Sequence, residues 1–84
     1  MKILYSKDAA KALTRMLANE ARRIIGKIEQ YAADPASQRN NVMRMQGRTE
    51  YHRLRVGDWR VVFVPGKELM TIAAIGPRGG IYDR

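Results

Sequence analysis

Ile3-Leu4-Tyr5 is a short apolar run that stops at Ser6, whose hydroxyl suits the first turn of a helix, so the chain is expected to open with a brief strand running directly into helix. From Lys7 to Ala18 the residues Ala9, Ala10, Leu13, Met16 and Leu17 fall at helical spacing, with Lys7, Asp8, Lys11, Thr14 and Arg15 mostly on the other side. That pattern is an amphipathic helix. Asn19 is a suitable N-cap for a second one, in which Ala21, Ile24, Ile25, Ile28, Tyr31 and Ala32 repeat the i, i+3, i+4, i+7 spacing as far as Asp34-Pro35, where proline stops it. Gly26 costs that helix about 1 kcal/mol relative to Ala, and close approach of a neighbouring helix or sheet is the expected reason.

Beyond Pro35 the period changes from helical to alternating. Asp34 to Asn41 is polar and reads as a loop, and Val42-Met43-Arg44-Met45 as a weak strand or edge segment closed by Gly47. Tyr51 to Val56 alternates, with Tyr51, Arg53 and Arg55 on one face and His52, Leu54 and Val56 on the other. Gly57-Asp58 is a two-residue turn into Trp59–Val64, a β-branched and aromatic strand ending at Pro65-Gly66. Leu69 to Ile75 is the next strand, and Gly76-Pro77-Arg78-Gly79-Gly80 a glycine-rich exit before Ile81-Tyr82-Asp83-Arg84. Two amphipathic helices need a cover and a meander has one apolar face to offer. The expected class is therefore α+β: a short amino-terminal strand, a two-helix hairpin and a curved antiparallel β-meander.

The chain has 84 residues, room for one core, so residues 1–84 are expected to form a single domain. No apolar run approaches the roughly 18 residues needed to cross a bilayer, and the amino end lacks the apolar core of a signal peptide, which makes a cytoplasmic protein with no membrane partner the expectation. There is no cysteine and His52 is the one histidine. Disulfide stapling, thiolate zinc sites and paired-histidine mechanisms are thereby excluded, and neither a metal nor another cofactor is expected.

Charge changes the picture most. Sixteen Lys and Arg against eight acids give a net +8, so a polyanionic partner is expected. Residues 39–84 alone hold nine bases against four acids, and eight of those bases are Arg. Arginine presents a flat fork of donors that fits phosphate oxygens two at a time. Arg53 and Arg55 stand on one arm of the hairpin and Arg60 on the other, with Arg78 and Tyr82 arriving from the carboxyl end and Arg44 and Arg48 preceding the hairpin. Arg60 interrupts an otherwise apolar strand, which suits a concave anion site. Tyr51, Trp59 and Tyr82 interleave with these arginines, a mixture of ring faces and guanidinium forks matched to single-stranded nucleic acid. Trp59 and Phe63 are expected to be partly or wholly structural.

No Walker loop, dinucleotide fingerprint or nucleophile elbow is present. The acids Glu50, Asp58, Glu68 and Asp83 fall in turns or at ends, so a catalytic carboxylate pair is not expected. His52 has the intrinsic pKa for acid–base work, but alternation places it on the face opposite Arg53.

The run Tyr51-His52-Arg53-Leu54-Arg55-Val56-Gly57-Asp58-Trp59-Arg60-Val61-Val62-Phe63 resembles the central signature of the RelE/ParE toxin superfamily of bacterial type II toxin–antitoxin modules. Ile75-Gly76-Pro77-Arg78-Gly79-Gly80-Ile81-Tyr82 is similar to that superfamily's closing strand and exit, and the helical hairpin, the Asp-Pro after it and Met45-Gln46-Gly47 extend the likeness over the whole chain. The resemblance implies a RelE-like, microbial ribonuclease-type fold. On its RelE-like branch it also implies an endoribonuclease that cuts messenger RNA, typically in the ribosomal A site, and is neutralised by a cognate antitoxin protein. Arg60, Arg78 and Tyr82 match the pattern's catalytic arginines and tyrosine, and Arg53 one of its basic positions on the first hairpin strand; Tyr51 stands where a Lys is expected.

Such chemistry asks for no metal, because the neighbouring 2′-hydroxyl of RNA is the nucleophile and cationic side chains can stabilise the charged phosphorane. The resemblance implies phosphate and transition-state contacts for Arg60 and Arg53, the scissile phosphate or leaving group for Arg78, stacking or proton transfer for Tyr82, and RNA positioning for Arg55, Tyr51, Arg48 and Arg44. Two alternatives stay open: a ParE-like poison of DNA gyrase without nuclease activity, and a module that binds RNA without cutting it.

Overall fold

Ser6 joins strand to helix as its chemistry suggests. In the computed structural model, which describes residues 1–47 and 50–79, its Oγ accepts from the Ala9 N–H (3.1 Å) and its hydroxyl donates to the Ala73 carbonyl (2.7 Å). One side chain thus caps a helix and ties it to a strand 67 residues away. Strand β1 (Lys2–Tyr5) precedes this cap and helix α1 (Lys7–Arg15) follows it. Helix α2 (Ala18–Ala33) begins earlier than expected: Leu17, not Asn19, occupies the cap position, because the first intrahelical bond runs from the Ala21 N–H to the Leu17 carbonyl (3.0 Å). Leu17 makes no side-chain cap bond and is left 70% exposed.

Gly26 is exposed, and a Cβ built there meets nothing within 4 Å. The close approach expected of it does not occur. Gly26→Ala is therefore expected to raise stability by about 1 kcal/mol, seen as a thermal midpoint roughly 4–8 °C higher; an unchanged or lower midpoint would show that the glycine answers to something other than helix propensity.

The polar stretch read as a loop is a 3₁₀ segment (Pro35–Asn41), kinked at Gln38, whose side chain is buried. Four further strands follow: β2 (Val42–Arg44), β3 (His52–Val56), β4 (Trp59–Pro65) and β5 (Leu69–Pro77). Gly76 and Pro77 continue β5 and do not belong to the exit. The strand order is β1-β5-β4-β3-β2. β2 to β5 pair antiparallel as expected, whereas β1 lies parallel to β5, with Ile3 beside Met70 and Tyr5 beside Ile72, so the five-stranded sheet is mixed.

Register decides which residues enter the core. Val62 pairs with Ala74 but Phe63 with Ile72, so β5 carries one extra residue, Ala73, at a bulge. The slip lets Met70 and Ile72 before it and Ile75 after it all face inward, although Ile72 and Ile75 are three apart. The Ala73 carbonyl at this irregularity is the one the Ser6 hydroxyl satisfies. Ala9 of α1 and Ile24, Ile28 and Tyr31 of α2 close over Leu54, Val56, Val61, Phe63, Met70, Ile72 and Ile75. Phe63 lies at the centre, its ring 4.9 Å from Tyr31 and 5.7 Å from His52. Both helices lie on this face, and the alternate residues of β2, β3 and β4 form the other.

Candidate functional site

The β3–β4 hairpin sets the site. Gly57 turns at φ +58°, a conformation that favours glycine, and is the first central residue of a two-residue turn, as the twist of a tight hairpin requires. From this turn the register places Arg55 directly across from Arg60, and Arg53 across from Val62 on one side and Met43 on the other. Arg53, Arg55 and Arg60 thus share the face away from the helices, while His52, Leu54 and Val56 point with Val61, Phe63 and Trp59 to the core side.

The guanidinium groups of Arg55 and Arg60 are held by neutral acceptors. Arg60 Nη1 donates to the carbonyls of Gly57 and Trp59, both at 2.9 Å, which folds the head of the side chain over its own turn. These bonds use Nη1 alone, and among the described residues no acid pairs with the charge. Arg55 Nη2 donates to Asn41 Oδ1 (3.1 Å), and Asn41 Nδ2 in turn donates to Oε1 of the buried Gln38 (3.1 Å). The 3₁₀ segment thereby anchors an arginine of the sheet. Arg53 Nη2 lies 3.6 Å from the sulfur of Met43.

Two depressions meet at this pair. One, of about 200 Å³, is walled by Asn40, Asn41, Val42, Met43, Arg53, Arg55 and Arg60. The second, of about 660 Å³, wraps the end of the hairpin and is bounded by the turn, by Arg78 and by residues of α2. The Arg78 N–H donates to the Asp58 carbonyl (2.7 Å), which brings the start of the exit segment against the turn. Arg53, Arg55, Arg60 and Arg78, named from the sequence, are therefore assembled around one hairpin end.

Other expectations land elsewhere. Arg44 pairs in register with His52, not with Arg53, so strand alternation puts it on the helix side of β2, away from the arginine face. Tyr51 precedes β3, half-buried, with its carbonyl accepting from the Met45 N–H (3.0 Å), and is not among the walls of these depressions. Trp59 is structural: its Nε1 donates to Glu20 Oε2 (2.9 Å) and its ring packs on the core, so it offers no stacking platform beside the arginines. Arg48 and Tyr82 lie outside the described residues. Asn41, Gln38, Arg23 and Lys27 were not expected at the site. Arg23 and Lys27 carry the one sequence signal, a basic i, i+4 pair on the polar side of α2.

His52 is half-buried beside Phe63, and its Nδ1 is enclosed without a hydrogen-bond partner among the described residues. Burial first, and the nearby Arg44 charge second, push its pKa below the ordinary 6.5. The folded state therefore prefers neutral imidazole, and between the depressed value and 6.5 the unfolded chain holds more protons. The resulting stability is complete above about pH 6.5 and is lost as pH falls through the folded value. On acidification from pH 7 to 5 the wild-type thermal midpoint is expected to fall more than that of His52→Leu; parallel curves would contradict this.

Among the described residues no three His, Cys, Asp or Glu side chains gather into a group that could hold a metal ion, and no helix is long and apolar enough to cross a membrane. Residues 3–82 match the family model of the ParE toxin of the type II toxin–antitoxin system parDE. The fold is similar to that of a chain in each of three crystal structures of toxin–antitoxin complexes. For the archaeal RelE–RelB complex of Pyrococcus horikoshii the TM-score is 0.77 at 22% identity, over 95% of this chain and 97% of that one. The RelB–RelE complex of Methanococcus jannaschii gives 0.71 at 23%, over 95% of each, and RelBE2 of Mycobacterium tuberculosis 0.62 at 15%, over 92% and 96%. No curated protein sequence matches the chain significantly.

Proposed function

For a chain that belongs to the ParE toxin family of type II toxin–antitoxin systems, we propose the activity of the RelE-like branch: a metal-independent endoribonuclease that cuts messenger RNA in the ribosomal A site and is neutralised by a cognate antitoxin. The supporting observation is the Arg55–Arg60 pair. Like charges directly opposite on adjacent strands destabilise a hairpin, and among the described residues the two are bonded to Asn41 and to backbone carbonyls, with no acid paired to either. A phosphodiester between the two forks removes the repulsion and receives two-point contacts from each.

The reaction follows from RNA's own chemistry. The 2′-oxygen attacks the adjacent phosphorus, its proton leaves to a base, the bond from phosphorus to the 5′-oxygen breaks, and that oxygen takes up a proton. A 2′,3′-cyclic phosphate and a 5′-hydroxyl remain. Arg60 and Arg53 stabilise the phosphorane charge, Arg78 attends the scissile phosphate or the departing oxygen, and Tyr82 stacks or transfers a proton. Arg55 positions the strand, held by Asn41. An acidic, partly disordered antitoxin segment covers the same basic surface, with association that is fast and salt-sensitive.

A purified bacterial translation system tests the reading. Codon-phased cuts that need ribosomes and persist in chelator support it. Intact messenger together with gyrase-dependent DNA breaks would replace it with the gyrase-poison reading.

A further inference from the structure

The larger depression reaches beyond the hairpin. Its walls combine Arg23 and Lys27 of α2 with Arg55 of β3, Arg60 of β4 and Arg78 just after β5, five cations against one acid, Asp58, among the described residues. Arg23 and Lys27 stand four residues apart on one side of the helix, a like-charge spacing that costs helix stability unless an anion offsets it. The acids of α2 are directed elsewhere: Glu20 accepts from Trp59 Nε1, and Glu29 acts on Tyr5. The Arg23 guanidinium lies over the hairpin turn itself. A Cβ on Gly57 would stand 2.8 Å from its Nη2 and 2.9 Å from its Nη1, so the bare glycine leaves room for the head group at the lip of the cleft. The two depressions share Asn41, Arg55 and Arg60 and so form one basic track, from Met43 and Arg53 on the open sheet face, over the hairpin end, to α2.

We propose that Arg23 and Lys27 form a second phosphate subsite, which holds the backbone of single-stranded RNA beyond the phosphate seated between Arg55 and Arg60. The choice of RNA rests on the ribonuclease reading; the subsite itself rests on the track. A strand held at two phosphates has its direction across the hairpin set, which a single phosphate site does not achieve.

The test uses the full chain and a fully 2′-O-methylated oligoribonucleotide, which cannot be cut, with binding read by fluorescence anisotropy across a potassium chloride series. The double variant Arg23→Gln, Lys27→Gln is expected to bind about tenfold more weakly than wild type, with a salt slope smaller by about 1.4, since each contact to a single strand contributes roughly 0.7. A thermal midpoint no lower than that of wild type establishes that the fold is intact, and Arg23→Glu alone gives a second variant with a loss of binding in the same direction. Equal affinity and slope in wild type and double variant would overturn the subsite. So would a double variant that binds RNA normally and has lost affinity for the antitoxin, which would assign the patch to an acidic protein. If wild type binds the oligonucleotide, the variant loses it and neither cuts messenger RNA, the subsite stands and the ribonuclease reading falls.

Discussion

Arg60→Ala is expected to lower the rate of messenger RNA cleavage by about 10²–10³-fold, the usual cost of losing one preorganised donor to developing charge. Arg60 is the residue on which the site converges: it walls both depressions, faces Arg55 across the hairpin, and has its head fixed by the carbonyls of Gly57 and Trp59. That fixation means little reorganisation is needed when the phosphorane forms. The same bonds make the side chain a brace for the turn, so the variant also loses two hydrogen bonds, one exposed and one half-buried, each worth about 1 kcal/mol at most. Arg60→Lys separates the effects. It keeps the charge and loses the fork, and a rate between those of wild type and Arg60→Ala is expected, each rate being taken well below that protein's own thermal midpoint. A single-turnover rate for Arg60→Ala within threefold of wild type would remove Arg60 from the chemistry.

Phe63→Ala is expected to cost about 3–5 kcal/mol, a large share of the roughly 5–15 kcal/mol that holds a domain together. Phe63 is wholly buried, and its ring joins Tyr31 of α2 to His52 of β3, so truncation opens a cavity where helix layer and sheet meet. It also pairs with Ile72 beside the bulge that keeps β5 in phase. Urea unfolding followed by circular dichroism measures the loss. A midpoint shift equivalent to less than about 1 kcal/mol would mean that the core closes over the gap.

Much of the fold is legible because the relevant forces are local. Alternation in His52–Val56 and Trp59–Val64 and the turn at Gly57-Asp58 place the hairpin within a residue or two, and with it the arginine face. The α+β layering follows from two amphipathic helices that need a cover. What escapes is set by distant partners. The parallel pairing of β1 with β5 is a contact across 67 residues, and the bulge at Ala73 shows in the sequence only as the change of phase between Ile72 and Ile75. Asn19 has the chemistry of a cap, but the helix begins two residues earlier, with Leu17 at the cap position.

The site divides in the same way. Arg53, Arg55 and Arg60 are legible because strand parity sorts them, and Arg78 because it follows the last strand. Arg44 lies off the arginine face because register, which depends on the intervening chain, sets it opposite His52. Arg23, Lys27 and Asn41 reach the cleft only through tertiary packing, since nothing local connects a helix face or a polar 3₁₀ segment to a hairpin end. The roles expected of Arg48 and Tyr82 rest on the family resemblance.

The most direct measurement of the central claim is the chemistry of the cut ends, read on a messenger RNA bound to ribosomes and compared with the same message carrying a single 2′-deoxynucleotide at the cleavage position. The account predicts a 2′,3′-cyclic phosphate on one fragment, a 5′-hydroxyl on the other, and no cut in the deoxy-substituted message. Cleavage that persists across the deoxynucleotide, or a message that stays whole while gyrase-dependent DNA breaks accumulate, would contradict it.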